Sequence, residues 1–237
     1  MAKNSAGIKT ARGQQDFRLR PCFGWGGRRD GAGRKPGPER RIPHTKRPPL
    51  AARHPCHVTL RIATGVPSLR CRRFVRDIER SFREACDRGR FRLLHYSVQT
   101  NHLHLLVEAS DARALAHGMR SIAPRIARAA NRVFARRGPV LADRYHARVL
   151  RTPTEVRRAL AYVLQNARRH LTKLGRALPP PGWIDPASSG RWFDGWRGAM
   201  PPALDVPAVA APRGWLACVG WRKNGLVDPS EVPGRSR

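Results

Sequence analysis

Residues 92–108 read RLLHYSVQTNHLHLLVE, two apolar segments joined by a short polar connection at 100–101. This spacing predicts a β-hairpin with one strand on each side of the connection. Alternation in the second strand places His102, His104 and Glu108 on one face. Leu103, Leu105 and Val107 lie on the other face. When the apolar face is buried, the opposite face presents two imidazoles close enough to share one metal ion.

Further predicted elements flank the hairpin on both sides. The predicted strands are 57–62, 92–99, 102–108 and 145–150, and the predicted helices are 68–88, 112–137 and 152 to 171 or 174. The order is β-α-β-β-α-β with a final helical segment. This order predicts an α/β (α+β) fold, a ferredoxin-like or RRM-like sandwich with an additional C-terminal catalytic helix and irregular flanks. We expect two helices on one sheet face and an open second face.

The start of the last helix has the clearest local signature. Thr152 is a typical N-cap, Pro153 suits the first helical position, and Glu155 completes a capping box. The apolar positions of this helix define a buried stripe, and at about 100° per residue Tyr162 lies on the opposite, polar face. Asn166 follows one turn later on the same face. Tyr162 is therefore not an ordinary core aromatic residue.

Composition divides the chain into three parts. Residues 1–50 are rich in Gly, Arg and Lys and predict a basic disordered arm, whereas residues 51–175 hold the periodic apolar segments of a domain with its own core. Residues 176–237 form an extension rich in Pro, Gly and Trp. The sequence leaves open whether this extension packs on the domain or stacks on nucleic-acid bases.

The net charge points to a polyanionic partner. The chain of 237 residues has 47 Lys and Arg against 16 Asp and Glu, for a formal charge of +31. It contains no apolar run long enough to span a bilayer and no apolar signal-peptide segment, so nucleic acid is favoured over a membrane. The five cysteines are odd in number and irregularly spaced, which argues against a disulfide framework. We expect a cytoplasmic protein associated with the nucleoid.

Arginine is concentrated on one predicted helix. A 3-4-4 spacing of arginines runs along the helix at 112–137, and no acidic residue occurs between 112 and 142. A stripe of this kind without counter-charges favours phosphate contact over a merely solvated face. The candidate DNA-binding residues are Arg125, Arg128, Arg132, Arg136, Arg144, Arg158 and Arg169.

The histidine pair and the tyrosine suggest one chemistry. His102 and His104 supply two neutral nitrogen ligands, and Asn166 supplies an oxygen as a third ligand. Three ligands leave positions on a divalent ion for phosphate oxygens and water. Tyr162, among arginines that stabilise negative charge, is the candidate nucleophile. The sequence therefore predicts metal-assisted attack on a nucleic-acid phosphate.

Three motifs carry a family resemblance. Residues 96–106 (YSVQTNHLHLL), 143–148 (DRYHAR) and 161–166 (AYVLQN) occur in the order and context typical of one group of enzymes. Residues 57–171 resemble the HUH single-tyrosine transposases of bacterial insertion sequences, and are most similar to the REP-associated tyrosine transposases. In this family a proline often follows the asparagine of the last motif. Ala167 stands there instead, and we expect it to leave the helix unbroken.

The resemblance implies a detailed activity. Tyr162 would cleave single-stranded DNA beside a hairpin or palindromic element, forming a 5′-phosphotyrosine link and a free 3′-hydroxyl, and the reverse attack would rejoin the strand. His102, His104 and Asn166 would hold Mg²⁺ or Mn²⁺. The family includes monomers and homodimers, so both states stay open.

Three alternatives compete with this interpretation. The main one is a non-catalytic, RRM-like nucleic-acid-binding protein, a domesticated transposase; an RRM presents aromatic residues on its central strands, where this chain has His102 and His104. A replication initiator or relaxase of the wider HUH group is the second alternative, ranked after the transposase and the RRM-like protein. A structural zinc protein is disfavoured, because this sequence lacks the four soft ligands that a structural zinc site needs.

Overall fold

The predicted hairpin forms half of a four-stranded sheet in a computed structural model that describes residues 49–234. The strands are β1 (Cys56–Arg61), β2 (Phe91–Val98), β3 (His102–Ala109) and β4 (His146–Val149). Their order in the sheet is β2-β3-β1-β4, and every neighbouring pair is antiparallel. This is the arrangement of a ferredoxin-like sandwich, so the predicted fold class is confirmed.

Residues 49–234 contain five α-helices. They are α1 (Arg72–Arg83), α2 (Ala112–Val133), α3 (Pro153–Leu164), α4 (Asn166–Lys173) and, in the C-terminal extension, α5 (Trp215–Cys218). Helices α1 and α2 cover one face, where Val58, Leu103 and Leu105 meet Ile78 and Ile122 in the larger apolar core. Within residues 49–234, no helix is long and apolar enough to span a membrane.

Three helix ends differ from the predictions. The first helix ends at Arg83 rather than at residue 88, since Cys86 already accepts the backbone N–H of Leu93 of β2 at 2.8 Å. The other two changes lie at the start of this helix and at the end of the second. The first helix begins after Cys71 rather than at Ser68, because the Ser68 hydroxyl accepts the nearby backbone N–H of Arg70 at 3.3 Å in a local turn. The second helix ends at Val133 rather than at residue 137, because Ala135 adopts a left-handed conformation with φ of 49°. None of these changes moves an apolar position off the core.

The last predicted helix is broken. Gln165 has φ of −108° and ψ of 18°, so α3 ends at Leu164 and α4 begins at Asn166. The expectation that Ala167 keeps this helix unbroken is therefore wrong. The side chain of Gln165 is buried and donates to the backbone carbonyl of Asp228 at 2.9 Å, which holds the break against the C-terminal extension. Consequently, the position of Asn166 does not follow the helical phase set by Tyr162.

The second sheet face is covered, contrary to the expectation of an open face. Leu94 and Leu106 are apolar residues on this face, and their burial requires a cover. They pack with Leu160 of α3 and with Trp196 and Trp221 of the extension in a second apolar core. Only 1% of Trp221 is exposed. The extension therefore packs on the domain, which resolves the choice that the sequence left open.

Hydrogen bonds fasten this extension to the sheet. Ala187 accepts the backbone N–H of Val98 at 2.8 Å, so the chain continues along the free edge of β2. Nearby, Arg70 donates to both carboxylate oxygens of the buried Asp185 at 2.9 and 2.8 Å. The domain boundary placed at residue 175 stays a prediction. The predicted arm comprises residues 1–50, and residues 1–48 of it lie outside the described part of the chain.

The capping box predicted at the start of α3 is present. Thr152 Oγ1 accepts the backbone N–H of Glu155 at 3.2 Å, and the Glu155 carboxylate accepts the backbone N–H of Thr152 at 3.2 Å. We expect Thr152→Ala to lower the free energy of unfolding by about 1 kcal/mol, because one helical N–H loses its partner. Urea unfolding followed by circular dichroism measures this loss.

The matched control is Thr152→Ser, which retains the hydroxyl oxygen. It should stay within about 0.5 kcal/mol of the wild-type protein, since Ser and Thr are similar N-caps. Equal stability of the alanine and serine variants would show that the cap contributes nothing to the anchoring of α3.

Candidate active site

Two adjacent strands provide the floor of the site. In the antiparallel pairing of β1 with β3, Thr59 lies directly opposite His104 and Arg61 opposite His102. Because side chains alternate along a strand, His57 shares this face with Thr59 and with both histidines of β3. The same face carries Leu106 and is covered by α3. The predicted division of β3 into an apolar face and a histidine face is therefore present.

The two histidines of β3 turn the same ring atom toward each other. The Nε2 atoms of His102 and His104 lie 3.0 Å apart. The Nδ1 atom of His102 is 2.9 Å from the Asn101 side-chain oxygen, and Nδ1 of His104 is 3.2 Å from the Thr59 hydroxyl. With each Nδ1 hydrogen-bonded, the Nε2 atoms are left for a shared ligand.

Burial keeps both rings neutral. Burial, together with smaller contributions from positive charges nearby, lowers the pKa of His102 to about 4 and that of His104 to about 2. At 3.0 Å the two Nε2 atoms share a hydrogen bond when one of them carries a proton, and they repel when both carry lone pairs unless a cation binds them. Nitrogen ligands about 2.1 Å from one ion and at right angles lie about 3 Å apart. The pair therefore fits a divalent metal ion.

Tyr162 lies beside this pair. Its ring centroid is 5.0 Å from that of His104 and 5.6 Å from that of His57. The Arg169 guanidinium lies over the tyrosine ring, 5.2 Å from its centroid. Tyr162 is half-buried and lies on the side of α3 that faces away from the apolar core. The fold thus brings together the predicted nucleophile, a predicted ligand and a predicted phosphate-binding arginine.

Asn166 is placed differently from the other predicted ligands. It is 0% exposed, and neither polar atom of its side chain has a hydrogen-bond partner within residues 49–234. Buried amides are usually satisfied, so an unpaired one needs an explanation. One turn later on α4, the ring of His170 lies 5.8 Å from that of His102. The amide oxygen of Asn166 therefore fits the chemistry of a third ligand.

A search for other ligands gives no competing metal centre. In the described part of the chain, no group of three or more His, Cys, Asp or Glu side chains is arranged to hold an ion. A site built on His102 and His104 therefore needs a ligand of another type, and an amide oxygen is acceptable to Mg²⁺ and Mn²⁺.

A cleft of about 1050 Å³ opens next to Tyr162. Arginines dominate its walls. They are Arg148, Arg157, Arg158, Arg169 and Arg197. Arg158 and Arg169 are two of the predicted DNA-binding residues, so the structure places them at the tyrosine. Glu155, Asp228 and Glu231 also line the cleft and pair with Arg148, Arg197 and Arg157. The five arginines against three acids leave an excess of positive charge, which favours anionic ligands.

The C-terminal segment forms another wall of the cleft. Glu231 accepts two hydrogen bonds from Arg157 at 2.6 and 2.7 Å, and the Pro233 carbonyl accepts from Arg169 at 3.2 Å. Arg157 is thus engaged by a carboxylate of the same chain. Arg158, in contrast, is exposed to solvent at the cleft.

The predicted arginine stripe of α2 lies elsewhere. Helix α2 packs on the sheet face opposite the histidines. Arg125 donates to Glu84 at 2.9 Å and Arg132 to Asp77 at 2.7 Å, so acids of α1 face a helix that has none. Arg128 is exposed, and Arg136 donates to the Pro139 carbonyl at 3.3 Å. Arg144 is exposed just before β4.

Sequence reasoning missed two histidines of the site. His57 contacts His104 through a hydrogen bond of 3.1 Å, and His170 lies beside His102. The period-2 pattern of β1 could have placed His57 on a common face with Thr59. Glu108, predicted on the histidine face, is buried and accepts the backbone N–H groups of two residues of the extension at 2.9 and 2.8 Å. Its role is therefore structural.

Comparison with protein families now decides the assignment. Residues 56–165 match the family model described as transposase, IS200-like. This part of the chain belongs to the IS200-like transposase family. The transposase domain so defined includes His57, His102, His104 and Tyr162, and it ends one residue before Asn166. The predicted family is confirmed, and with it a transposase role in DNA recombination.

Solved structures align with the chain at low sequence identity. A REP-associated tyrosine transposase bound to a REP hairpin aligns with a TM-score of 0.46 and 14% identity, over 73% of this chain and 99% of that chain. A bacterial tRNA(His) guanylyltransferase (Thg1)-like protein in complex with GTP aligns with a TM-score of 0.37 and 14% identity, over 56% and 74%. No curated protein matches the chain. The assignment of the transposase domain therefore rests on its family match.

Proposed function

We propose that this transposase domain cleaves and rejoins single-stranded DNA at hairpin-flanked sites through a covalent 5′-phosphotyrosine intermediate. The observation that supports this most is the position of Tyr162, whose ring lies 5.0 Å from that of His104 beside the paired Nε2 atoms. A nucleophile adjacent to a metal-ligand pair is the arrangement that phosphoryl transfer needs.

The reaction balances without an external energy source. The Tyr162 hydroxyl oxygen attacks the phosphorus, a P–O bond to tyrosine forms, and the P–O bond to the 3′-oxygen breaks. The proton lost by tyrosine is matched by the proton that the departing 3′-oxygen gains. Attack by a 3′-hydroxyl on the phosphotyrosine reverses both changes and rejoins the strand.

Residues of the chain hold the cofactor and the phosphate. His102, His104 and Asn166 are the proposed ligands of Mg²⁺ or Mn²⁺. When bound, the ion polarises the phosphate and stabilises charge on its oxygens. Arg169, above the tyrosine ring, and Arg158, exposed at the cleft, bind phosphate oxygens and orient the strand.

The other predicted arginines form separate contacts. Arg144 lies exposed before β4. Arg125, Arg128 and Arg132 of α2 lie across the sheet from Tyr162, and Arg136 lies beyond the end of this helix, so the predicted stripe is three arginines long. DNA that reaches this stripe must extend around the domain, as a hairpin arm adjoining the cleaved strand does. We therefore propose the cleft arginines as contacts near the scissile phosphate and the α2 arginines as contacts to more distant phosphates.

Removal of metal tests the proposed reaction. Labelled single-stranded hairpin DNA from the flanks of this protein's own gene is incubated with the protein and Mn²⁺ or EDTA, then resolved on a denaturing gel. We expect a covalent protein–DNA band with Mn²⁺ that EDTA reduces by more than about 100-fold, because charge on the phosphoryl oxygens is no longer stabilised.

The second candidate function is non-catalytic, RRM-like binding of nucleic acid. The engagement of Arg157 by Glu231 within the cleft favours it, since this contact occupies a cation at the proposed substrate site. Tight binding to several such hairpins without a covalent band, with or without metal, would establish this alternative. The proposed location in either case is the cytoplasm, in association with the nucleoid.

A further inference from the structure

His57 stands apart from the residues so far given a role. It belongs to β1, two residues before Thr59, which lies directly opposite His104 in the register of β1 with β3. Its side chain therefore reaches His104 diagonally on the same face of the sheet. It also lines the cleft beside Tyr162.

The ring of His57 contacts both halves of the site. Its Nε2 atom lies 3.1 Å from Nδ1 of His104, and the two ring centroids are 5.0 Å apart. Its centroid is also 5.6 Å from that of Tyr162, in an edge-to-face arrangement at 64°. His57 is thus in contact with both the proposed nucleophile and a proposed metal ligand.

The hydrogen bond between the two histidines determines which atom of His104 is free. A neutral imidazole carries its proton on one nitrogen and a lone pair on the other. If Nδ1 of His104 carries the proton and donates it to His57, the lone pair lies on Nε2, the atom that faces His102. Ligating histidines usually donate their second N–H in this way, and the partner orients the ring.

Two groups compete for the Nδ1 proton of His104. Thr59 Oγ1 lies at 3.2 Å and His57 Nε2 at 3.1 Å. A hydroxyl group rotates and serves as donor or acceptor, so by itself it selects neither form of the ring. The imidazole of His57 is held between His104 and Tyr162 and cannot swing away without breaking both contacts.

We propose that His57 is a positioning residue, which holds the His104 ring with Nε2 toward His102 and thereby completes the divalent-metal site. This role rests on the proposed function, because it takes His102 and His104 as metal ligands. It assigns to β1 a part in the site beyond that of a core strand.

Calorimetric titration with Mn²⁺ tests the role without using DNA. His57→Phe keeps a ring of similar size but has no acceptor, and it should weaken Mn²⁺ binding by about 10- to 100-fold. His57→Gln offers an amide oxygen near the place of Nε2 and should bind Mn²⁺ within about threefold of the wild-type protein. Thermal unfolding of each variant confirms that it is folded at the titration temperature.

Three outcomes would overturn the proposal. They are wild-type affinity in His57→Phe, equal weakening in folded His57→Phe and His57→Gln, and an absence of Mn²⁺ binding in the wild-type protein. The covalent assay fails separately: Mn²⁺ affinity that depends on His57 without a phosphotyrosine band leaves the positioning role intact and removes the strand-transfer proposal. A phosphotyrosine band together with Mn²⁺ affinity that does not depend on His57 supports strand transfer and removes the positioning role.

Discussion

Tyr162→Phe is expected to abolish the covalent protein–DNA band, with a loss of more than about 10³-fold, while DNA binding stays within about threefold of the wild-type protein. The substitution removes only the oxygen that forms the bond to phosphorus. The phenyl ring that remains still packs beside His104 and beneath Arg169. Phosphate contacts by arginines dominate affinity for nucleic acid, and the substitution leaves them in place.

The chain offers a matched control for this experiment. It has three tyrosines, of which Tyr96 is fully buried in the core. Tyr145→Phe removes the hydroxyl of the third tyrosine, which is not the proposed nucleophile, so this variant should retain the covalent band. Mass spectrometry of the digested adduct then locates the nucleotide on the peptide that contains Tyr162. A band of undiminished strength in Tyr162→Phe would refute the assignment of the nucleophile, whatever the metal dependence.

Local sequence signals predicted the sheet and most of its helices correctly. Two apolar segments around the connection at 100–101 define both hairpin strands, and alternation defines the faces of β3. A capping box marks the start of α3. These features depend on neighbours within a few residues. The cover on the second sheet face depends instead on Trp196 and Trp221, which are distant in the chain and have no periodicity. Composition alone could not place them.

The site was predictable only in part, for the same reason. His102, His104 and Tyr162 stand out by their positions within one strand and one helix, and the fold brings them together. His57 joins them through strand pairing, which depends on a register that sequence periodicity does not determine. The break at Gln165 escaped prediction because a contact with Asp228, 63 residues away in the sequence, stabilises it.

The same long-range dependence makes the extension a large contributor to stability. Arg191 donates to both carboxylate oxygens of Glu79 at 3.0 and 2.9 Å and to Asp205 at 2.9 Å. Tyr96 donates to the same carboxylate from the core. Burial, together with the charge of Glu79, raises the pKa of the Tyr96 hydroxyl, so it stays a donor. Helix α1, strand β2 and the extension thus meet at one buried carboxylate.

Arg191→Leu is expected to lower the free energy of unfolding by about 3 kcal/mol, because the charge of Glu79 stays buried without its main partner. This expected loss is at the lower end of the range for breaking a buried ion pair, since 31% of the Arg191 side chain is exposed. Urea unfolding, followed by tryptophan fluorescence, measures it.

A second substitution separates the charge effect from lost packing. Glu79→Gln in the Arg191→Leu background removes the buried charge and keeps an oxygen that accepts from Tyr96, so it should restore at least about 1 kcal/mol. Glu79→Gln alone should destabilise the protein, since it leaves the Arg191 guanidinium short of a charged partner. If the two losses simply add in the double variant, the Arg191–Glu79 pair makes no coupled contribution, and the apolar contacts and the other hydrogen bonds of the extension hold it on the sheet.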